Sequence, residues 1–158
     1  FIGFISARLS KKVKISTKGR YSLRMLLDLA DHQQQGFIAL KDIAARQEIS
    51  KKYLEQIVAI LNKTDILQTN RGFQGGYKLA KPPAHDTVGS ILRLTEGSLS
   101  PVDCLDHVPG SCPRHSACAT LPVWQGLEKV INEYLDAITL QDILDEPRQA
   151  QNKNDYVI

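Results

Sequence analysis

Between Ser50 and Tyr77 the chain passes from one amphipathic segment directly into a glycine-bearing one, and few folds accommodate that order. In SKKYLEQIVAILNK, Tyr53, Leu54, Ile57, Val58, Ile60 and Leu61 recur at spacings of three and four, which predicts a helix with one buried face. Ser50 stands where a side-chain oxygen can accept a bond from a free backbone N–H and cap that helix. Lys51, Lys52, Glu55 and Gln56 then fall on the opposite face, where a recognition helix offers side chains to base edges. Just upstream, LKDIAARQEI places Leu40, Ile43, Ala44 and Ile49 in a second short amphipathic segment, too close to Ser50 for anything but a tight corner. Two short helices joined this way make a helix-turn-helix.

Downstream, Ile66–Thr69 and Gly76–Leu79 flank NRGFQG. Glycines at 72, 75 and 76 suit a hairpin tip with positive φ, and the hairpin reads as a wing. An ordinary helical hairpin with a surface turn is the plain alternative. Cations on both the helix and the wing, Arg71 among them, argue against it, because both would meet phosphates in one docking pose.

The formal charge of +3 conceals a division. Residues 1–81 carry 15 Lys and Arg against 6 Asp and Glu, and residues 82–158 carry 5 against 11. The first part suits a polyanion; the second would be repelled by one and suits a surface turned toward another protein chain. No apolar run approaches the roughly 20 residues of a membrane-spanning helix. In FIGFISARLSKK the charges follow the apolar stretch, which is the reverse of an export signal, so a cytoplasmic protein is expected and residues 1–12 are set aside as a leader or non-native extension. An enzyme is not expected: no phosphate-cradling P-loop and no nucleophile motif occurs.

The remaining segments assemble around this head. Tyr21, Met25, Leu26, Leu29 and Ala30 line one face of a first helix within Lys14–Ala30, capped by Ser16 or Thr17. Lys14, Lys18, Arg20 and Arg24 crowd its N-terminal end, where cations oppose the helix dipole; phosphate contact, especially by Lys18 and Arg20, accounts for them. Phe37–Ala39 is expected to add a short strand to the wing sheet. Asp86 or Thr87 caps a helix carrying Val88, Ile91, Leu92 and Leu94, and Gly97 ends it. Ser98–Leu121 lacks periodicity and holds all three cysteines. Pro122 then opens a helix of about four turns with Val123, Leu127, Val130, Ile131, Tyr134 and Ile138 along it, for which the simplest partner is a second copy of the chain. From Pro147 onward disorder is expected. The divisions are therefore a head at 13–97, a cysteine loop at 98–121, a dimerisation helix and short terminal helix at 122–146, and a tail at 147–158.

Together, KISTKGRYSLRMLLDLA, SKKYLEQIVAILNK, RGFQGGYKLA, ILRLTEGSLSPVDCL and TLQDIL resemble the Rrf family of bacterial winged-helix transcription regulators, in order, over about residues 14–145. The family includes regulators of iron-sulfur cluster supply, of the response to nitric oxide and of cysteine metabolism. The resemblance implies a mainly α fold: a winged helix-turn-helix DNA-binding domain with a small β wing and a long C-terminal dimerisation helix that crosses its partner's. It implies a homodimeric repressor or activator on double-stranded operator DNA, with contacts at Ser50, Lys52, Tyr53, Glu55, Gln56 and Arg71, and a wing shaped by Gly75 and Gly76. Lys51 joins this set from its place on the helix face.

Cys104, Cys112 and Cys118 lie within fifteen residues, and an odd count without an export signal favours a thiol or metal function over a disulfide framework. Three cysteines in a comparable loop bind a [2Fe-2S] cluster in cluster-carrying relatives, and the resemblance implies the same here; thiolates are suited to iron in sulfide clusters. Two features depart from that pattern. The gap of seven residues after Cys104 is longer than usual, and Leu121 stands where one cluster-binding relative has a histidine. His107 and His115 are the loop's candidates for a fourth ligand. Zinc, which three cysteines and one histidine would also hold, a redox-active thiol pair, and a cluster-free regulator working with a partner protein remain open.

Overall fold

The computed structural model describes residues 14–106 and 112–151, so the leader, His107 and residues 152–158 of the tail lie outside the described residues. Among the described residues, seven α-helices and one two-stranded sheet follow in the order α1 (Thr17–Asp31), α2 (Leu40–Gln47), α3 (Lys51–Leu61), β1 (Leu67–Asn70), β2 (Gly76–Leu79), α4 (Val88–Glu96), α5 (Asp103–Asp106), α6 (Leu121–Asp136) and α7 (Leu140–Gln151). The fold is mainly α with a β wing.

Local chemistry explains the boundaries. The Ser16 hydroxyl accepts the Gly19 N–H at 3.2 Å and itself donates to Glu96 Oε1 at 2.6 Å, so the C-terminal residue of α4 supplies a carboxylate at the cation-rich start of α1. Gly19 makes that approach possible, since a Cβ there would fall 2.3 Å from the same carboxylate oxygen. Thr87, not Asp86, caps α4, in a reciprocal box with Ser90. Gly97 closes the helix with φ of 85°.

Met25, Leu26 and Leu29 of α1, Ile43 of α2, and Leu54, Ile57 and Leu61 of α3 are completely buried in one core, which also receives Ile91 of α4 and Leu140 of α7. Each such side chain gains about 1.5–3 kcal/mol from burial. Helix α7 returns to pack on α1. A second, smaller core joins Val88, Leu92 and Leu99 to Ile131, Leu135 and Ile138, and so seats one side of α6 on α4.

Three expectations are adjusted. The third wing strand reduces to a single bridge between Ile38 and Tyr77. The loop expected over Ser98–Leu121 includes the one-turn helix α5 and a 3₁₀ turn at His115–Ala117. Helical backbone continues past Pro147 to Gln151, later than composition indicated, on a helix anchored by Leu140 and Leu144 in the main core.

Candidate nucleic-acid interface

The α2–α3 corner turns on Glu48, whose backbone is left-handed at φ 52° and ψ 42°, with the Ile49 N–H returning to the Ala44 carbonyl at 3.1 Å. Ser50 then caps α3, accepting the Tyr53 N–H at 3.2 Å. Leu54, Ile57, Val58 and Leu61 face the core, leaving Lys51, Lys52, Glu55 and Gln56 exposed along the opposite side. Lys51 lies 3.5 Å from Glu55, an exposed pair one turn apart that leaves both side chains accessible. Tyr53 is half-buried and meets Tyr21 edge to face, with ring centroids 5.5 Å apart. This contact joins the recognition-type helix to α1.

The wing is an antiparallel pair in the register Leu67–Leu79, Gln68–Lys78, Thr69–Tyr77 and Asn70–Gly76. It is tied to α3 through Thr69, whose hydroxyl donates to Asn62 Oδ1 at 3.1 Å. Arg71 is exposed at the end of β1. The tip closes through the Gly75 N–H to the Gly72 carbonyl at 2.9 Å. Only one of the three tip glycines is there for its dihedral freedom: Gly72 has φ of 135°, whereas Gly75 and Gly76 do not have positive φ. Their reason is space. A Cβ on Gly75 would lie 2.6 Å from the Asn70 carbonyl oxygen, and one on Gly76 would lie 2.3 Å from that of Ile38.

At the start of α1, Lys18 is half-buried and Arg20 exposed, with Arg20 donating to Thr17 Oγ1 at 3.1 Å. Arg24 donates to Gln47 of α2 through Nε at 3.2 Å and stacks 5.1 Å from the Tyr21 ring centroid. Sequence reasoning also missed the group that fixes α2 against α1. Asp28, its side chain 1% exposed, accepts two hydrogen bonds from Arg46 at 2.6 and 3.0 Å and one from Gln47 at 3.0 Å. Burial pushes its carboxyl up, but the Arg46 and Gln47 hydrogen bonds and the Arg46 charge prevail and hold it below the ordinary carboxylate range.

The cysteines lie between α4 and α6. Cys104 lies in α5, Cys112 precedes the 3₁₀ turn, and Cys118 ends it; all three are free thiols and half-buried. His115 opens that turn and is also half-buried. Hydrogen bonding to the Thr120 side chain and backbone holds the Cys118 thiol below its ordinary value, with Arg114 adding a smaller pull. Three thiols are a suitable donor set for a soft metal centre. Among the described residues, however, no three His, Cys, Asp or Glu side chains gather closely enough to hold a metal ion.

The model of the family described as Rrf2, iron-dependent transcriptional regulator, matches residues 15–146. The chain belongs to the Rrf2 family. It is 36% identical to protein rrf2 of Nitratidesulfovibrio vulgaris over 89% of this chain and 95% of that one. The solved structure of CymR, the global cysteine regulator of Bacillus subtilis, superposes with a TM-score of 0.70 at 36% identity, covering 84% of this chain and 97% of that one. That of T. potens IscR gives a TM-score of 0.70 at 40% identity, with 87% and 90% covered. Membership makes the chain a transcription regulator and not an enzyme, and the capped α3 with its attached hairpin is the winged helix-turn-helix of that family. Among the described residues, no helix is long and apolar enough to cross a membrane.

Proposed function

We propose that the chain is a homodimeric regulator that binds double-stranded operator DNA through α3 and the wing, and whose affinity follows the state of its three-cysteine loop. The carrying observation is the physical union of the two basic elements. Thr69 bonds to Asn62, and the sheet bridges to Ile38 beside α2, so the wing is joined to both helices of the helix-turn-helix unit. In this reading Lys51, Lys52, Glu55 and Gln56 face base edges, Ser50 and Tyr53 approach the backbone, and Arg71 enters beside the wing, with Lys18 and Arg20 on phosphates. Gly76 keeps the wing close enough to Ile38 to share that surface, and Gly75 lets the tip close on Asn70.

Dimerisation falls to α6. Val123, Leu127, Val130 and Tyr134, at spacings of four, three and four, are 61%, 42%, 61% and 67% exposed. The other side of α6 is seated on α4, so these four form a free apolar stripe. Antiparallel or crossed packing of two such stripes would remove it from water and place two heads on one palindromic site.

Cys104, Cys112 and Cys118 would hold a [2Fe-2S] cluster, with His107 or His115 as the loop's fourth ligand. When bound, the cluster would supply a redox-sensitive cross-link to the segment between α4 and α6. The second reading is a cluster-free regulator acting with a partner protein or through redox-active thiols, or one with structural zinc; the likeness to CymR, a global cysteine regulator, supports its cluster-free form. Selection of duplexes from a randomised pool, followed by anisotropy titration, tests the DNA reading: Arg71→Ala should weaken binding and lower the salt slope by about one. Iron, sulfide and zinc analysis of anaerobically purified protein, with its visible spectrum, separates the loop readings.

A further inference from the structure

The wing carries one side chain that the fold itself does not use. The large apolar side chains that stand exposed among the described residues are Phe73, Leu94 and the four on α6. Phe73 is at 106% of its reference exposure, so its ring touches essentially nothing of its own chain. A single exposed apolar residue is ordinary on a protein surface. Its position is what gives this one meaning. The Gly75 N–H to Gly72 carbonyl bond of 2.9 Å makes Gly72–Gly75 a tight turn with Phe73 as its first central residue, so the ring stands at the extreme end of the hairpin. Exposed Arg71 lies two positions earlier. Strands of four residues rise roughly 13 Å, enough to carry the tip past the phosphates into a minor groove about 7.5 Å deep. Cationic and apolar groups on one such projection match the chemistry of a groove with phosphate walls and stacked bases at its floor.

We propose that Phe73 is a wedge: carried by the wing into the minor groove, its ring partly unstacks a flexible pyrimidine–purine step and makes the protein sensitive to DNA deformability there. This rests on the DNA-binding reading above. It gives the wing a role beyond charge, because steps that open easily would be favoured without any hydrogen bond to a base. Leu in place of Phe73 should keep part of the effect and Ala should lose it.

The test uses the full chain and duplexes that the wild-type protein selects from a randomised pool, with 2-aminopurine substituted for one adenine at a time through the half-site. Wild type should brighten the probe at one step, Phe73→Leu less so, and Phe73→Ala not at all. Phe73→Ala should also weaken binding about ten- to a hundredfold while leaving the salt slope unchanged, unlike Arg71→Ala. If Phe73→Ala matches wild type in affinity and fluorescence, or loses affinity although no step brightens with wild type, the wedge is wrong and DNA binding stands. Unchanged duplex affinity with weakened self-association would assign the ring to a protein contact and overturn the proposal. Failure of wild type to select any duplex would instead remove the reading on which it rests.

Discussion

Arg93 of α4 grips Asp136 of α6 through two hydrogen bonds of 2.7 and 2.8 Å, and donates a third to Asn132 at 2.6 Å. The helix with the apolar stripe is thereby clamped to a helix of the head. The clamp is partly exposed, so solvent screening limits its contribution to stability to about 0.5–1 kcal/mol. Its geometric effect should be larger than its energy. Gly89 lies beneath it, where a Cβ would come 2.0 Å from Asp136 Oδ1. Gly89→Ala should therefore push the Asp136 carboxylate aside and reproduce Asp136→Ala: a small fall in urea-unfolding stability, with a larger loss of DNA affinity as the two heads of the proposed dimer lose their fixed angle. A normal affinity in both variants would show that the clamp does not set the angle of the heads in the proposed dimer.

Two buried carboxylates give opposite responses to acid. Asp28 is held below its ordinary pKa, so its contribution is fully present above 3.8 and is lost as pH falls through the lowered value. Asp86 is pushed up by burial, and its Oδ2 has no hydrogen-bond partner among the described residues. Its favourable contribution therefore exists below 3.8 and disappears as pH rises through the raised value. Asp86→Asn should stabilise the protein at neutral pH, because the amide carries no charge to be desolvated, and should give no gain in strong acid, where the carboxyl is itself neutral. Asp28→Asn should destabilise at neutral pH and flatten the acid limb. Urea titrations across the pH range measure both.

Glu48 holds a left-handed backbone conformation that costs a side chain bearing a Cβ roughly 1–2 kcal/mol. Glycine avoids that strain but gives back part of the gain as unfolded-chain entropy. Glu48→Gly should thus raise stability by up to about 1 kcal/mol without altering the Ser50 cap, and thermal unfolding will show it. A fall in stability would mean that the Glu48 side chain contributes more than its backbone costs.

The parts of the fold legible in the sequence were those governed by short spacings. Ser50, the stripe through Leu54, Ile57 and Leu61, and Pro122 in the first turn of α6 each state a local rule, and the helices follow them. Residue types alone did not distinguish the reasons for glycine. Gly72 supplies a dihedral, whereas Gly76 yields to the Ile38 backbone, a neighbour 38 positions away in the chain. The Asp28–Arg46 pair was hidden for the same reason: α1 and α2 must pack before a charge on one can be assigned to the other. Phe73 lay in plain view within RGFQGGY, but an apolar residue between glycines reads as turn filler until its complete exposure is seen. The thiols were legible as ligand types, and their sequence spacing does not reveal how the loop brings them together.

The apolar side chains of α6 are divided between two surfaces. Val130 and Ile131 are neighbours in sequence, yet Val130 is 61% exposed while Ile131 packs against the second core with Leu135 and Ile138. Successive helical positions differ by about 100°, so aspartate at each should have a different effect. Ile131→Asp should destabilise the head by at least about 2 kcal/mol, through lost packing and a poorly solvated charge. Val130→Asp should leave the monomer's fold and circular dichroism intact but place like charges across the two-fold contact. The proposed homodimer then requires Val130→Asp to sediment as a monomer at concentrations where wild type is dimeric, and to lose cooperative binding to a two-half-site duplex while retaining weak contact with one half-site. Dimers of unchanged strength would show that copies of this chain pair through another surface.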